Sequence, residues 1–167
     1  FSMSEIDQSK FEEMKGAISG EMLKKEADRP FEEIKKQLQD IVEQRQMEKT
    51  VQVDVDPLGV RIEFASSSLY ESGSAAIKRN MGVVIDELGK AIATLDMRSF
   101  LIEVEGHTDD IPMRSSKYES NWELSSHRAT NIVKLLITAG IPVQRLKASG
   151  FAESRPVAPN RDVNGVA

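Results

Sequence analysis

The chain has 167 residues, 40% of them hydrophobic and 29% charged, which suits one domain of ordinary size plus an appendage. Its formal net charge of −5 argues against nucleic-acid phosphate or an anionic membrane face as the main partner. Cysteine is absent, which removes disulfides, thiolate catalysis and cysteine-based zinc sites together, and with aromatic residues at only 5% the core has to be mainly aliphatic.

Residues 4–26 read as an amphipathic helix. Ser4 and Asp7 resemble a capping box, and Phe11, Met14, Ile18 and Met22 follow at helical spacing. Pro30 ends this unit or opens the next, and Phe31, Ile34, Leu38, Ile41 and Val42 mark a second helix to about Lys49. The period then changes to two. Val51, Val53 and Val55 alternate with polar residues, Asp56-Pro57-Leu58-Gly59 is turn chemistry, and Val60, Ile62 and Phe64 alternate again, which predicts a hairpin. Residues 66–74 are small and polar, a loop, and residues 76–95 carry Ile77, Met81, Val84, Ile85, Leu88 and Ile92 at helical spacing. Residues 99–106 predict a strand, residues 121–139 a helix stopped by Gly140, and residues 145–151 a last strand. Strands alternating with helices after an initial hairpin indicate an α/β (α+β) sandwich. Its mixed sheet is covered by helices on one face and preceded by a helical segment.

The most unusual stretch runs from Glu103 to Ala129. A strand ends at Gly106, so Thr108, Asp109 and Asp110 stand at its carboxyl end, while Arg128 lies in the first turns of the helix that follows. A carboxylate at one rim of a crevice and a guanidinium at the other suit a zwitterionic amino-acid group. Asp accepts from an ammonium, Arg holds a carboxylate with two parallel bonds, and helix N-terminal amides near Asn121 favour the same carboxylate. A plain salt bridge between Asp109 and Arg128, fixing helix to sheet, explains the same spacing.

Gly106-His107-Thr108-Asp109-Asp110, followed by the run from Ser120-Asn121-Trp122-Glu123-Leu124 to His127-Arg128-Ala129, resembles the signature of the OmpA-like peptidoglycan-binding family. Phe64, the run from Tyr70 to Ala75, Gly140-Ile141-Pro142, Ala148-Ser149-Gly150-Phe151 and Glu153-Ser154-Arg155-Pro156-Val157 agree with it, so the resemblance covers about residues 51–160. It implies a clamp on the diaminopimelate of the peptidoglycan stem peptide. Asp109 holds the ammonium and Arg128 the carboxylate, Thr108 shapes the site, Asn121 bonds the ligand's peptide groups, and Leu124 closes the pocket.

The long loop between Asp109 and Asn121, the run Ser120 to Ser125 and the leading amphipathic segment resemble the flagellar stator B subunits of the MotB and PomB type. That resemblance implies residues 1–30 as a juxtamembrane, plug-like segment, 31–49 as a linker helix and 50–167 as the peptidoglycan-binding domain. It also implies a periplasmic location, a tether to the inner membrane through a transmembrane helix outside this sequence, a channel partner of the MotA or PomA type and a homodimer. The family continues into another helix and a closing strand with an Asn-Arg-Arg motif, so the resemblance implies that the chain ends short of them. An outer-membrane protein or lipoprotein anchor of the same family is the alternative.

Enzyme and metal readings are weak, and neither a cofactor nor nucleic acid is expected. His107 and Asp109 alternate around a strand end, so they do not converge with Asp110 and His127 as a ligand set. Ser125, His127 and Asp109 lack a nucleophile elbow or oxyanion loop. Glu103 and Glu105 share a strand face and read as solvated rather than as paired glycosidase acids. Trp122 is open to two readings, a sugar-stacking ring or an anchor for the helix start. The stripe of Ile34, Leu38 and Ile41 fits a dimer contact or packing within the chain.

Overall fold

A computed structural model describes residues 20–95, 100–112 and 114–155, with side chains described from residue 30 onward. Most of the amphipathic helix expected at 4–26 therefore lies outside the described residues, as does everything after Arg155. The elements in chain order are α1 (Gly20–Gln44), β1 (Val51–Asp56), β2 (Gly59–Phe64), α2 (Ser66–Leu69), α3 (Arg79–Ala93), β3 (Ile102–Gly106), α4 (Asn121–Thr138), a single 3-10 turn (Val143–Arg145) and β4 (Leu146–Gly150).

The expected break at Pro30 is not there: α1 runs through it. Proline removes one backbone bond of the helix, and what offsets that loss is tertiary. Phe31, Leu38 and Val42 are buried, and Ile34 and Ile41 pack partly buried against the same core. The apolar stripe is thus satisfied within its own chain, and the segment expected to be a linker is packed onto β1, β2 and α3. The helix stops at Gln44, not near Lys49. Gln46 takes a left-handed φ of 55°, and the Met47 amide donates back to the Val42 carbonyl at 3.0 Å, closing the last turn as a Schellman motif.

The hairpin forms as its alternation predicts. β1 and β2 pair antiparallel from Val51 opposite Phe64 to Asp56 opposite Gly59. Asp56 Oδ1 accepts from the amides of Leu58 (2.8 Å) and Gly59 (3.1 Å), and Gly59 supplies the φ of 140° that the turn needs. The loop expected at 66–74 contains the one-turn α2, and Tyr70 forms an antiparallel bridge to Ile77. That bridge, with the Lys78 amide donating to the Leu69 carbonyl at 3.0 Å, keeps residues 76–78 extended, so α3 starts later than its apolar spacing implies.

β3 and β4 pair in parallel, Ile102 opposite Leu146 through Gly106 opposite Gly150. Among the described residues the expected mix of strand directions is present as two two-stranded pieces, β1 with β2 antiparallel and β3 with β4 parallel. Helices α1, α3 and α4 share one aliphatic core with them, centred on Leu38, Met81, Val84, Ile85 and Leu88. Arg45 at the end of α1 grips Glu87 of α3 with two hydrogen bonds, one of 2.9 Å from Nε.

Leu38 is 1% exposed, so Leu38→Ala should destabilise the fold by about 3 kcal/mol in urea unfolding. A change below about 0.5 kcal/mol would mean that α1 stands off the domain as a linker.

Candidate functional site

The site is built where α4 crosses the carboxyl ends of β3 and β4. Both strands end in glycine, and both glycines face the helix backbone: a Cβ at Gly106 would overlap the Ser125 carbonyl, and one at Gly150 would overlap Ser126. Ser125, fully buried, ties the layers together, donating to the Trp122 carbonyl at 3.1 Å and accepting from the Ala152 amide at 3.1 Å. Beyond the strands, Thr108 N donates to Ala152 O at 3.0 Å and Phe151 N to Gly106 O at 2.9 Å, so the loops after β3 and β4 run side by side. Ala152 accepts a left-handed φ of 47° to make that turn.

Asn121, Leu124 and Arg128 share one face of α4, three and four residues apart. Asn121 is buried, and its Nδ2 donates to the carbonyls of Ile111 (3.0 Å) and Asp109 (3.4 Å) and to Glu153 Oε2 (3.3 Å). This amide group therefore organises the rim loop. Asp109 is exposed, with Oδ1 accepting from the Ile111 amide at 3.2 Å, and Thr108 Oγ1 donates to the Asp109 carbonyl at 3.1 Å. Leu124 sits beneath them, buried with Ala75 and Tyr118. It supports the site from below and does not present an open apolar wall.

Arg128 is only 7% exposed. Its Nε donates to the Ser74 carbonyl at 2.8 Å and Nη2 to the Glu71 carbonyl at 3.5 Å, while the guanidinium lies 4.5 Å from the centroid of the Tyr70 ring. The Tyr70 hydroxyl in turn donates to the Arg128 carbonyl at 3.2 Å. Burial lowers the Arg128 pKa, and nearby Tyr70, Asp109 and Tyr118 oppose that shift. Burial likewise pushes the Tyr70 phenol far above its ordinary value. Among the described residues Arg128 forms no ion pair, with Asp109 or any other carboxylate. The plain salt bridge that the spacing allowed is therefore not formed.

At the start of α4 the Trp122 amide is already engaged within the chain. Ser120 Oγ accepts from the Trp122 amide at 3.2 Å and donates to Glu123, a capping box. That hydrogen bond holds the Glu123 carboxyl below its ordinary range, so its contribution is present above the ordinary carboxylate pKa and lost as pH falls through the depressed value. Trp122 is 51% exposed and so does not act as a buried anchor for the helix start. Glu103 is engaged by Lys147 at 2.9 Å and Ser149 at 2.8 Å, which keeps its carboxyl low, and Glu105 meets His107 at 3.1 Å.

Several contributors had no site role assigned from sequence: Tyr70, Ser74 and Glu153, marked only as part of the family signature, and Tyr118, whose hydroxyl meets His127 Nδ1 at 2.7 Å. All but Tyr118 are remote in sequence from the residues they serve. Open grooves of about 450 Å³ beside Arg45 and Glu87 and about 400 Å³ beside Gln39 and Val53 lie away from this site, which is assigned on its chemistry.

The chain is similar in sequence and fold to known proteins. Residues 69–166 match the model of the OmpA family. The chain is 29% identical over 136 residues to motility protein B of Bacillus subtilis (strain 168), covering 81% of this chain and 51% of that protein. The chain thus spans about half the length of that relative. It is 30% identical to the crystal structure of the periplasmic domain of Helicobacter pylori MotB (residues 97–256), with a TM-score of 0.60, over 68% of this chain and 79% of that one. A MotB-like protein from Desulfovibrio vulgaris, 22% identical with a TM-score of 0.71 over 86% of this chain and 88% of that one, shares the fold.

The seat of α4 on the strand ends predicts that Gly106→Ala lowers stability by about 2 kcal/mol or more, because the obstructing atom is backbone and has little room to retreat. Urea unfolding measures it; an unchanged midpoint would show that α4 does not press on β3.

Proposed function

Because the chain belongs to the OmpA family and matches a MotB periplasmic domain over 79% of that domain, we propose that it is the peptidoglycan-binding periplasmic region of a flagellar stator B subunit. It holds the diaminopimelate residue of the stem peptide between Asp109 and Arg128 and so fixes an ion-driven stator to the cell wall. The full-length protein is tethered to the inner membrane, works with a channel subunit of the MotA or PomA type, and forms a homodimer through surfaces other than the buried α1 stripe. Its action is mechanical and not catalytic.

One observation carries this reading: a buried guanidinium with no carboxylate partner among the described residues. A buried charge is costly unless it is paired. Two carbonyls and the Tyr70 ring hold Arg128 by its Nε and Nη2 atoms, and among the described residues no hydrogen bond engages Nη1, which leaves that end of the guanidinium for a ligand carboxylate. Asp109, exposed at the rim, supplies the acceptor for the ammonium of the same zwitterion. The match to motility protein B extends well upstream of the family-matched residues, which favours the stator over an outer-membrane anchor.

Asp109→Asn is the cleaner test, because Arg128→Ala also strips donors from the Ser74 and Glu71 carbonyls and destabilises the fold. The wild-type chain should sediment with purified sacculi and be released by free diaminopimelate. Asp109→Asn should bind at least about tenfold more weakly with an unchanged circular dichroism spectrum. If Asp109→Asn sediments as fully as wild type, the clamp is wrong.

A further inference from the structure

The turn that follows β4 carries a second guanidinium that the clamp does not use. Phe151 continues the ladder through its bond to Gly106, Ala152 is bolted to Ser125 and Thr108, and Ser154 closes the turn, its amide (2.9 Å) and its hydroxyl (2.6 Å) both donating to the Phe151 carbonyl. Two side chains leave this rigid turn. Glu153 reaches Asn121 in the site, and the Arg155 guanidinium lies over the Phe151 ring, 4.5 Å from its centroid. On the Phe151 ring also stacks His107, at 5.4 Å and 24°, the residue immediately before Thr108 and Asp109.

Stacking covers one face of a guanidinium and leaves its in-plane donors pointing outward. Arg155 is exposed and forms no hydrogen bond or ion pair among the described residues, although Glu153 stands two positions away. It is therefore a pre-oriented cation on the same rim as Asp109, on the β4 side, whereas Arg128 is buried on the α4 side. A ligand held by its diaminopimelate zwitterion meets Arg155 with a neighbouring part of the same molecule.

We propose that Arg155, oriented by Phe151 and His107, is a specificity-determining contact for a second carboxylate of the stem peptide: the free carboxylate of the γ-linked glutamate that precedes diaminopimelate. The inference rests on the clamp reading. It makes the site selective for stem peptides carrying that acid over those in which it is amidated, since an amide removes the charge that a guanidinium pairs with. Phe151 and His107 are positioning residues; only Arg155 touches the ligand.

The test is calorimetric titration of this chain with three probes: free meso-diaminopimelate, the tripeptide L-alanyl-γ-D-glutamyl-meso-diaminopimelate, and the same tripeptide with D-isoglutamine in place of the acid. Wild type should bind the acidic tripeptide about tenfold more tightly than the amidated one. Arg155→Ala should bind the two tripeptides equally, with its affinity for free diaminopimelate unchanged, and Arg155→Lys should restore part of the preference. Asp109→Asn should lose all three probes, which tests the clamp separately. If Arg155→Ala keeps the wild-type preference for the acid, or if wild type shows none, the proposal is overturned while diaminopimelate binding leaves the clamp standing. A lowered melting temperature in Arg155→Ala with the preference intact would reduce Arg155 to a cap on Phe151.

Discussion

The contact on which the rest of the structure depends is backbone against backbone: α4 seated on the glycine ends of β3 and β4. Without side chains at Gly106 and Gly150, Ser125 and Ser126 approach the strands closely enough for Ser125 to hold the Ala152 amide. That approach sets the height of the helix over the sheet. It brings Asn121 within reach of the Asp109 and Ile111 carbonyls, and it places Arg128 over Tyr70 and against the loop at Ser74. The rim loop contains little apolar material of its own; its shape comes from one buried amide group and from the neighbouring turn at Ala152. A shift of the helix by the radius of one methyl group would disturb all of these bonds together.

Electrostatics then acts on a geometry already fixed. Burying a guanidinium without a counter-ion is unfavourable, and the fold offsets it in part with two carbonyl dipoles and the π face of Tyr70, a contact worth about 2 kcal/mol when desolvated. The acid nearest in sequence motif, Asp109, is close enough to influence Arg128 yet does not pair with it. In the proposed clamp, opposite charges held near each other but apart are both open to a zwitterion, a capacity that a collapsed salt bridge would remove. At the start of α4, Ser120 satisfies the Trp122 amide within the chain and donates to Glu123.

Periodicity made much of this fold legible. Val51, Val53 and Val55 alternate because the hairpin has one buried face, and Asp56 and Gly59 are turn residues for a reason that the Asx bonds display. Gly140 ends α4 at a φ of 109°, as its place after the apolar run implies. The misses have physical causes. Pro30 is a strong local breaker, yet the burial of Phe31, Leu38 and Val42 overrides it. The one-turn α2 and the Tyr70–Ile77 bridge are set by tertiary contacts, not by any period. In the site, Asn121, Leu124 and Arg128 share one face of α4, whereas the atoms that hold Arg128 belong to residues 54 and 57 positions away. Sequence marks which side chains carry charge; it does not say which of their atoms are already occupied.

The central claim is that the free end of a buried, otherwise satisfied guanidinium receives a ligand carboxylate. The most direct measurement is a nitrogen-15 NMR titration of the Arg128 side chain with meso-diaminopimelate. The account predicts saturable shifts and slowed rotation of the Nη groups, a nearly unmoved Nε that stays bonded to the Ser74 carbonyl, and loss of the response in Asp109→Asn. An Arg128 spectrum indifferent to diaminopimelate at concentrations that fill the site, or a response that survives Asp109→Asn unchanged, would contradict it.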